Sequence, residues 1–221
     1  MVDLRFACID VSSDPYAAGP TLVFRLRVNE ATGERMHALA LRVQIRIEPQ
    51  KRRYAPVEAA RLNDLFGDPS RYADTLKPLQ FAMASVMVPS FTGDIEVDLH
   101  VPCTYDLEVA ATSYFHALQE GEIPFLLLFS GTAIAKGDTG FSVSQVPWNL
   151  ESEYRLPVTE WRAMMDRFFP NGGWLRLSRE TLEALGAYKN VRALATWEQT
   201  IEALLADSLL AAGTLPGEQV P

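Results

Sequence analysis

Glu96, Asp98 and His100 recur at every second position, and Cys103 follows three residues later. On an extended chain that spacing puts the first three side chains on one face, because successive side chains alternate. A histidine and a cysteine three residues apart are compatible with two ligands of a metal ion. The set is incomplete, since no CxxC, no second spaced pair of histidines and no H-E-x-x-H occurs. His116 is the one further nitrogen ligand nearby in sequence, and nothing in the pattern brings it close. No metal is therefore assigned, and His100 and Cys103 stand only as candidates for a small-ligand or metal-binding module.

Other chemistries find less. Asp106 and Glu108 are a carboxylate pair, but a glycosidase needs its two carboxyls about 5–9 Å apart across a sugar. Cys103 with His116 has the residue types of a thiol–imidazole pair without any local signature. Ser130 sits in Phe-Ser-Gly-Thr and not in G-x-S-x-G, and no glycine pattern here cradles a phosphate. Lys51-Arg52-Arg53-Tyr54 reads as a solvated strand end ahead of Pro56. A hydrolase using Cys103 or Asp106 is the third-ranked reading, and the expectation is no enzyme and no cofactor.

Charge is distributed unevenly. Leu22 to Arg53 holds eight Arg/Lys against three Asp/Glu, whereas Pro78 to Ala135 holds seven Asp/Glu and no Arg or Lys. One consequence is a dipolar surface that engages a partner through Arg25, Arg27, Arg42, Arg46, Glu96, Asp98 and Glu108. The plainer expectation is that these arginines pair with Glu96, Asp98 and Glu108 on adjacent strands. Trp148, Trp161, Trp174 and Trp197 all fall in the second half. They are expected chiefly as core, with Trp148 the interaction candidate among them.

The elements that must position these residues follow from periodicity. Leu39 to Glu48 alternates almost strictly, as do Leu22 to Asn29 and Ile95 to Val101, which predicts half-buried strands. The polar NEATGER between the first two has the length of a hairpin connection. Leu4–Val11, Leu79–Val88, the apolar run over 124–135 and Phe141–Gln145 add further strands. Residues 56–76 and 112–120 carry helical spacing instead. After Pro157 the period changes for good. Thr159, Ser178 and Thr196 are placed to cap three helices. The fold class is α+β, an antiparallel β-sandwich or strongly twisted sheet with a C-terminal block of about three helices. The domain reading is residues 1–156 as the sheet region with a helical insertion near 56–76, then 157–212 as helices packed on the sheet. Residues 213–221 are expected to be a frayed tail.

A chain of 221 residues, 48% hydrophobic and 22% charged, has the composition of a globular protein and not of a disordered one. A net charge of −8 argues against gripping nucleic acid or an anionic membrane surface. Two cysteines are too few for a disulfide scaffold, and the start, with Asp3, lacks the charge pattern of a signal peptide. The longest apolar run, Ile123–Ile134, falls short of the roughly 20 residues that span a bilayer. The expected location is the cytoplasm.

Three stretches bear on relationship: Val101–Val109 (VPCTYDLEV), Pro124–Thr132 (PFLLLFSGT), and Val146-Pro147-Trp148 with the later Trp161, Phe169-Pro170 and Trp174-Leu175. Together they resemble an uncharacterised bacterial family of unknown function whose genes accompany nickel–iron hydrogenase clusters. The resemblance covers roughly residues 4 to 210. It implies an accessory role in hydrogenase assembly or maturation and implies no catalytic residue. The leading expectation is thus a non-catalytic interaction protein whose partner is another protein, with both a monomer and a sheet-edge dimer open.

Overall fold

Leu39, Leu41, Val43, Ile45 and Ile47 are all buried, as their alternation demands, and they form the inner side of the longest paired region in the fold. The computed structural model describes residues 3–103, 109–137, 140–170 and 177–212. Its strands are β1 (Leu4–Ser13), β2 (Thr21–Glu30), β3 (Met36–Ile47), β4 (Leu79–Val88), β5 (Asp94–Pro102), β6 (Glu122–Gly137), β7 (Gly140–Gln145) and β8 (Glu151–Pro157). Helices α1 (Pro56–Arg61), α2 (Asn63–Phe66) and α3 (Tyr72–Thr75) fill the β3–β4 connection, and α4 (Val109–Ala117) precedes β6. The chain continues into α5 (Val158–Phe168), α6 (Arg179–Val191) and α7 (Trp197–Ala212).

The strands form two antiparallel sheets. One has the order β1-β2-β5; the other runs β4-β3-β6-β7, with β8 also on β6. Consecutive strands β2 and β3 therefore lie in different sheets, and NEATGER is not the turn of a hairpin. The connection crosses instead, and buried Glu30 anchors it by accepting from Asp3 N, Thr32 N and Thr32 Oγ1. The apolar sides of β1 to β6 thereby meet in one shared core. Phe24 of β2 meets Phe125 of β6 with ring centroids 5.5 Å apart, and Phe6 of β1 stacks on Phe129 of β6 at 4.5 Å.

The apolar run over 124–135 lies within β6, which pairs β3 on one side. On its other side β6 has two partners in succession. Glu122–Leu128 pairs with β8, and Thr132–Gly137 pairs with β7. Helix α4 buries Tyr114 and Phe115, and α5 stacks Trp161 on Phe115 at 4.2 Å. Helix α5 begins at Val158, directly after Pro157, and not after Thr159, because strand β8 runs up to Pro157 and its fixed φ suits the turn into the helix. In the 56–76 insertion, Ala59, Leu62 and Phe66 are buried while Val57 is exposed.

The chain divides into two compact units, Met1–Gly172 and Gly173–Pro221, so α5 belongs with the sheets. The second unit holds α6 and α7. Ser178 caps α6 by accepting from Thr181 N, and Thr196 with Gln199 closes a reciprocal capping box on α7. Tyr188 donates to Asp207 at 2.9 Å to join the two helices. The tail at 213–221 lies outside the described residues.

Candidate functional site

Alternation along β5 sends His100 outward, where its Nε2 stands 3.8 Å from Asp14 Oδ2. Cys103 goes the other way. It is 1% exposed, and its Sγ donates to the Val101 carbonyl at 3.4 Å. The imidazole and the thiol thus do not share a site, and His116 is exposed on α4. Among the described residues, no three His, Cys, Asp or Glu side chains are gathered to hold an ion. Asp106 and Glu108 lie outside the described residues, as does Trp174. Burial pushes the Cys103 thiol up to about 12, and that of Cys8 likewise. Thiolates are the reactive form. Both cysteines should therefore resist DTNB in native protein at mildly alkaline pH and react fully once denaturant is added. Rapid native labelling of Cys103 would show that its pocket opens.

The acidic residues of β5 meet the basic residues of β2. In the antiparallel register Arg25 faces Asp98, Arg27 faces Glu96 and Asn29 faces Asp94. Their side chains close at 3.0, 2.8 and 3.1 Å. Exposed pairs of this kind contribute about 0.2–1 kcal/mol each. The cross-strand pairing expected from the sequence holds here for Arg25 and Arg27, and each of these arginines is ion-paired. Arg42 and Arg46 do not take part, because β3 belongs to the other sheet.

The outer face of the five-stranded sheet has a different chemistry. Register places Arg42 between Ser85 of β4 and Ser130 of β6. In the neighbouring rows Ala40 lies between Met87 and Thr132, and Gln44 between Met83 and Leu128. Thr132 is followed across the sheet by Gln145 of β7. Arg42, Ser85, Met87, Ser130 and Gln145 line a shallow depression of about 510 Å³. Among the described residues, neither Arg42 nor Arg46 has an ion-pair partner. Met83, Met87, Phe141 and Val143 are exposed on this face, Met87 at 64% and Val143 at 66%. Edge strand β7 is exposed throughout and carries neither charge nor proline, the devices that usually blunt an edge.

Between β7 and β8 the chain leaves the sheet for a short loop. Val146 N donates to Gly131 O and Phe129 N donates to Leu150 O, each at 3.0 Å, so both ends of the loop are pinned on β6. Trp148 at its tip is 89% exposed. The core expectation for the tryptophans holds for buried Trp161 and fails for Trp148, and Trp197 is about half exposed at 47%. An interrupted edge strand explains the difference.

One site feature escapes the sequence reading. Arg52 is not at a solvated strand end, since its side chain is only 8% exposed and grips Glu58 through both carboxylate oxygens at 2.8 Å. Tyr54 beside it donates to Pro49 O at 2.7 Å and is bonded to the Tyr114 hydroxyl at 2.9 Å. This cluster ties the β3–β4 insertion to the α4–β6 junction, and its groups are satisfied internally, as a structural network requires.

A family model matches residues 1–212, and the chain belongs to that family, a family of unknown function (DUF6084). No curated protein matches the sequence. Among solved structures, a β-glucosidase from Kluyveromyces marxianus is 7% identical with a TM-score of 0.26, over 70% of this chain and 15% of that one. A putative late embryogenesis abundant protein is 13% identical with a TM-score of 0.31, over 70% of this chain and 72% of that one. A putative ApaA protein from Bordetella pertussis is 12% identical with a TM-score of 0.23, over 70% and 93%. The chain thus spans a small part of the first of these, and likenesses this low carry neither fold nor activity across.

Proposed function

We propose that this member of a family of unknown function is a non-catalytic interaction protein, a β-sandwich that binds another protein through the outer face of its five-stranded sheet. The observation that carries the reading is that Met83 and Met87 on β4 and Phe141 and Val143 on β7 are all exposed on this one face, and that Trp148 in the β7–β8 loop is exposed as well. Large apolar side chains left exposed on one sheet face mark an interaction surface, and an exposed tryptophan is a common anchor in one. The other sheet's outer face supports the contrast, because there Arg25 and Arg27 are each ion-paired with a carboxylate of β5. A hydrogenase subunit or maturation factor in the cytoplasm is the partner that the family resemblance implies.

The test is affinity purification of the tagged chain from its native host with proteins identified by mass spectrometry. Hydrogenase subunits or maturation factors should co-purify with the wild type. Their recovery should fall about tenfold for a Met87→Lys/Val143→Lys variant and stay unchanged for Arg25→Gln/Arg27→Gln. Equal recovery with the first variant, shown to be folded by its thermal melt, refutes the reading.

A further inference from the structure

The row Ser85–Arg42–Ser130 narrows the chemistry of what this face binds. We propose that the depression at Arg42 receives a carboxylate, presented by a Glu or Asp side chain that stands among apolar residues on the bound protein. The inference rests on the proposed reading of the same face.

Arg42 and the two arginines of β2 have the same residue type on the same kind of surface, and their surroundings differ. Arg25 and Arg27 each face a carboxylate directly across the sheet. Arg42 faces a hydroxyl on both sides, and the adjoining rows offer Met83, Gln44 and Leu128 on one side and Met87, Ala40 and Thr132 on the other. Glu151 of β8 extends the first of these rows beyond Leu128, two strands away from Arg42, and among the described residues it forms no ion pair with Arg42. Neighbouring strands lie about 4.8 Å apart, so three donor-bearing side chains stand side by side. A guanidinium offers only donors, in a planar fork that matches a carboxylate. Ser130 Oγ donates to the Arg42 carbonyl at 3.4 Å, a long bond whose hydroxyl is free to turn toward a better acceptor. Gln145 adds an amide at the rim.

The complement of this arrangement is an acceptor-only group with a single negative charge. A phosphate would bring roughly two charges to one cation, on a chain whose net charge is already −8. Met87 at the wall and Val143 on the same face require the rest of the ligand to be apolar. An acidic side chain flanked by aliphatic ones meets both demands, and charge complementarity of this kind gives specificity.

The isotope-labelled chain can be titrated by NMR with N-acetyl-Leu-Glu-Leu-amide, with its Gln counterpart and with inorganic phosphate. The Glu peptide should shift the Arg42 side-chain Nε–H and the Ser85 and Ser130 amides saturably, and less so as salt is added. The Gln peptide should bind the wild type about tenfold more weakly, and the Glu peptide should bind Arg42→Gln with a similar loss. Absence of saturable shifts in that row, equal binding of both peptides, or tighter binding of phosphate overturns the proposal. The co-purification arm separates this failure from that of the broader reading. If Met87→Lys/Val143→Lys loses the partner while Arg42→Gln keeps it, the face stands and the carboxylate falls. If the peptide binds as expected and the face variant keeps its partner, the site stands and the protein-binding reading falls.

Discussion

Gly131→Ala should destabilise the protein by about 3–5 kcal/mol, out of a total that for domains of this kind is about 5–15 kcal/mol. Gly131 has φ +149°, and a Cβ built on it would stand 2.1 Å from the Ala40 carbonyl oxygen and 3.2 Å from Leu41 Cα. Both obstacles are backbone of β3, which cannot swing away as a flexible side chain would. The position is also where β6 exchanges β8 for β7, and the Gly131 carbonyl receives Val146 N at the base of the Trp148 loop. Glycine within a strand often marks such a close approach or irregularity. Gly93→Ala is the control, since its φ is +74° but a Cβ there meets nothing within 4 Å. Its cost should be only the left-handed strain, about 1–2 kcal/mol. Urea midpoints of the two variants decide the matter. A midpoint for Gly131→Ala no lower than that of Gly93→Ala would mean that β6 and β3 do not approach so closely.

What the sequence shows of this fold is the set of elements more than their pairing. Period-two alternation over Leu39–Glu48 and Leu22–Asn29 identifies two strands, but alternation reports only which side is buried. A short polar link can turn back within one sheet or cross to another, and the bonds from Asp3 and Thr32 to Glu30 that hold this one follow no spacing rule. Strand β8 is missed for a related reason. Its alternating Ser152, Tyr154 and Leu156 include one aliphatic residue among Glu151, Glu153 and Arg155, so the hydrophobic signal is faint. Its partner β6 supplies the apolar surface. Helix caps, which depend on residues three apart, are legible at Ser178 and Thr196.

The candidate site divides along the same line. Arg25, Arg27 and Arg42 are indistinguishable as exposed arginines on alternating strands. Sheet membership separates them: β2 lies against acidic β5, and β3 lies between a serine of β4 and a serine of β6. Long-range pairing thus determines which charge is left for a partner. Trp148 is similar, for it is exposed only because the chain between β7 and β8 leaves the sheet and returns.

Arg52→Ala should cost about 3–5 kcal/mol, the usual consequence of leaving one member of a buried pair without its counter-charge. Arg52 Nη2 donates to both oxygens of Glu58 at 2.8 Å and to Glu120 O at 3.0 Å, and Nη1 donates to Glu122 O at 3.2 Å. The guanidinium also lies over the Tyr54 ring, 5.2 Å from its centroid. Glu58 in turn accepts from Gln119 N at 2.8 Å and Ala55 N at 3.2 Å. Burial by itself would raise the Glu58 carboxyl, but the two backbone donors and Arg52 outweigh it and hold the group below its ordinary value of 4.5. The stabilisation is therefore complete above that ordinary value and is lost as pH falls through the lower value of the folded state. Glu58→Gln removes the titration, so its urea midpoint should change less than that of the wild type on acidification through this range. Arg52→Lys supplies a further comparison, since an ammonium keeps the charge but lacks the planar fork that reaches Glu58 and two carbonyls together. It should recover only part of the loss. If Arg52→Ala shifts the urea midpoint no more than an exposed Arg25→Ala does, or if Glu58→Gln keeps the wild-type acid limb, the pair does not hold the insertion to the α4–β6 junction. The positions of the helices around Tyr114 would then rest on the aromatic cluster alone.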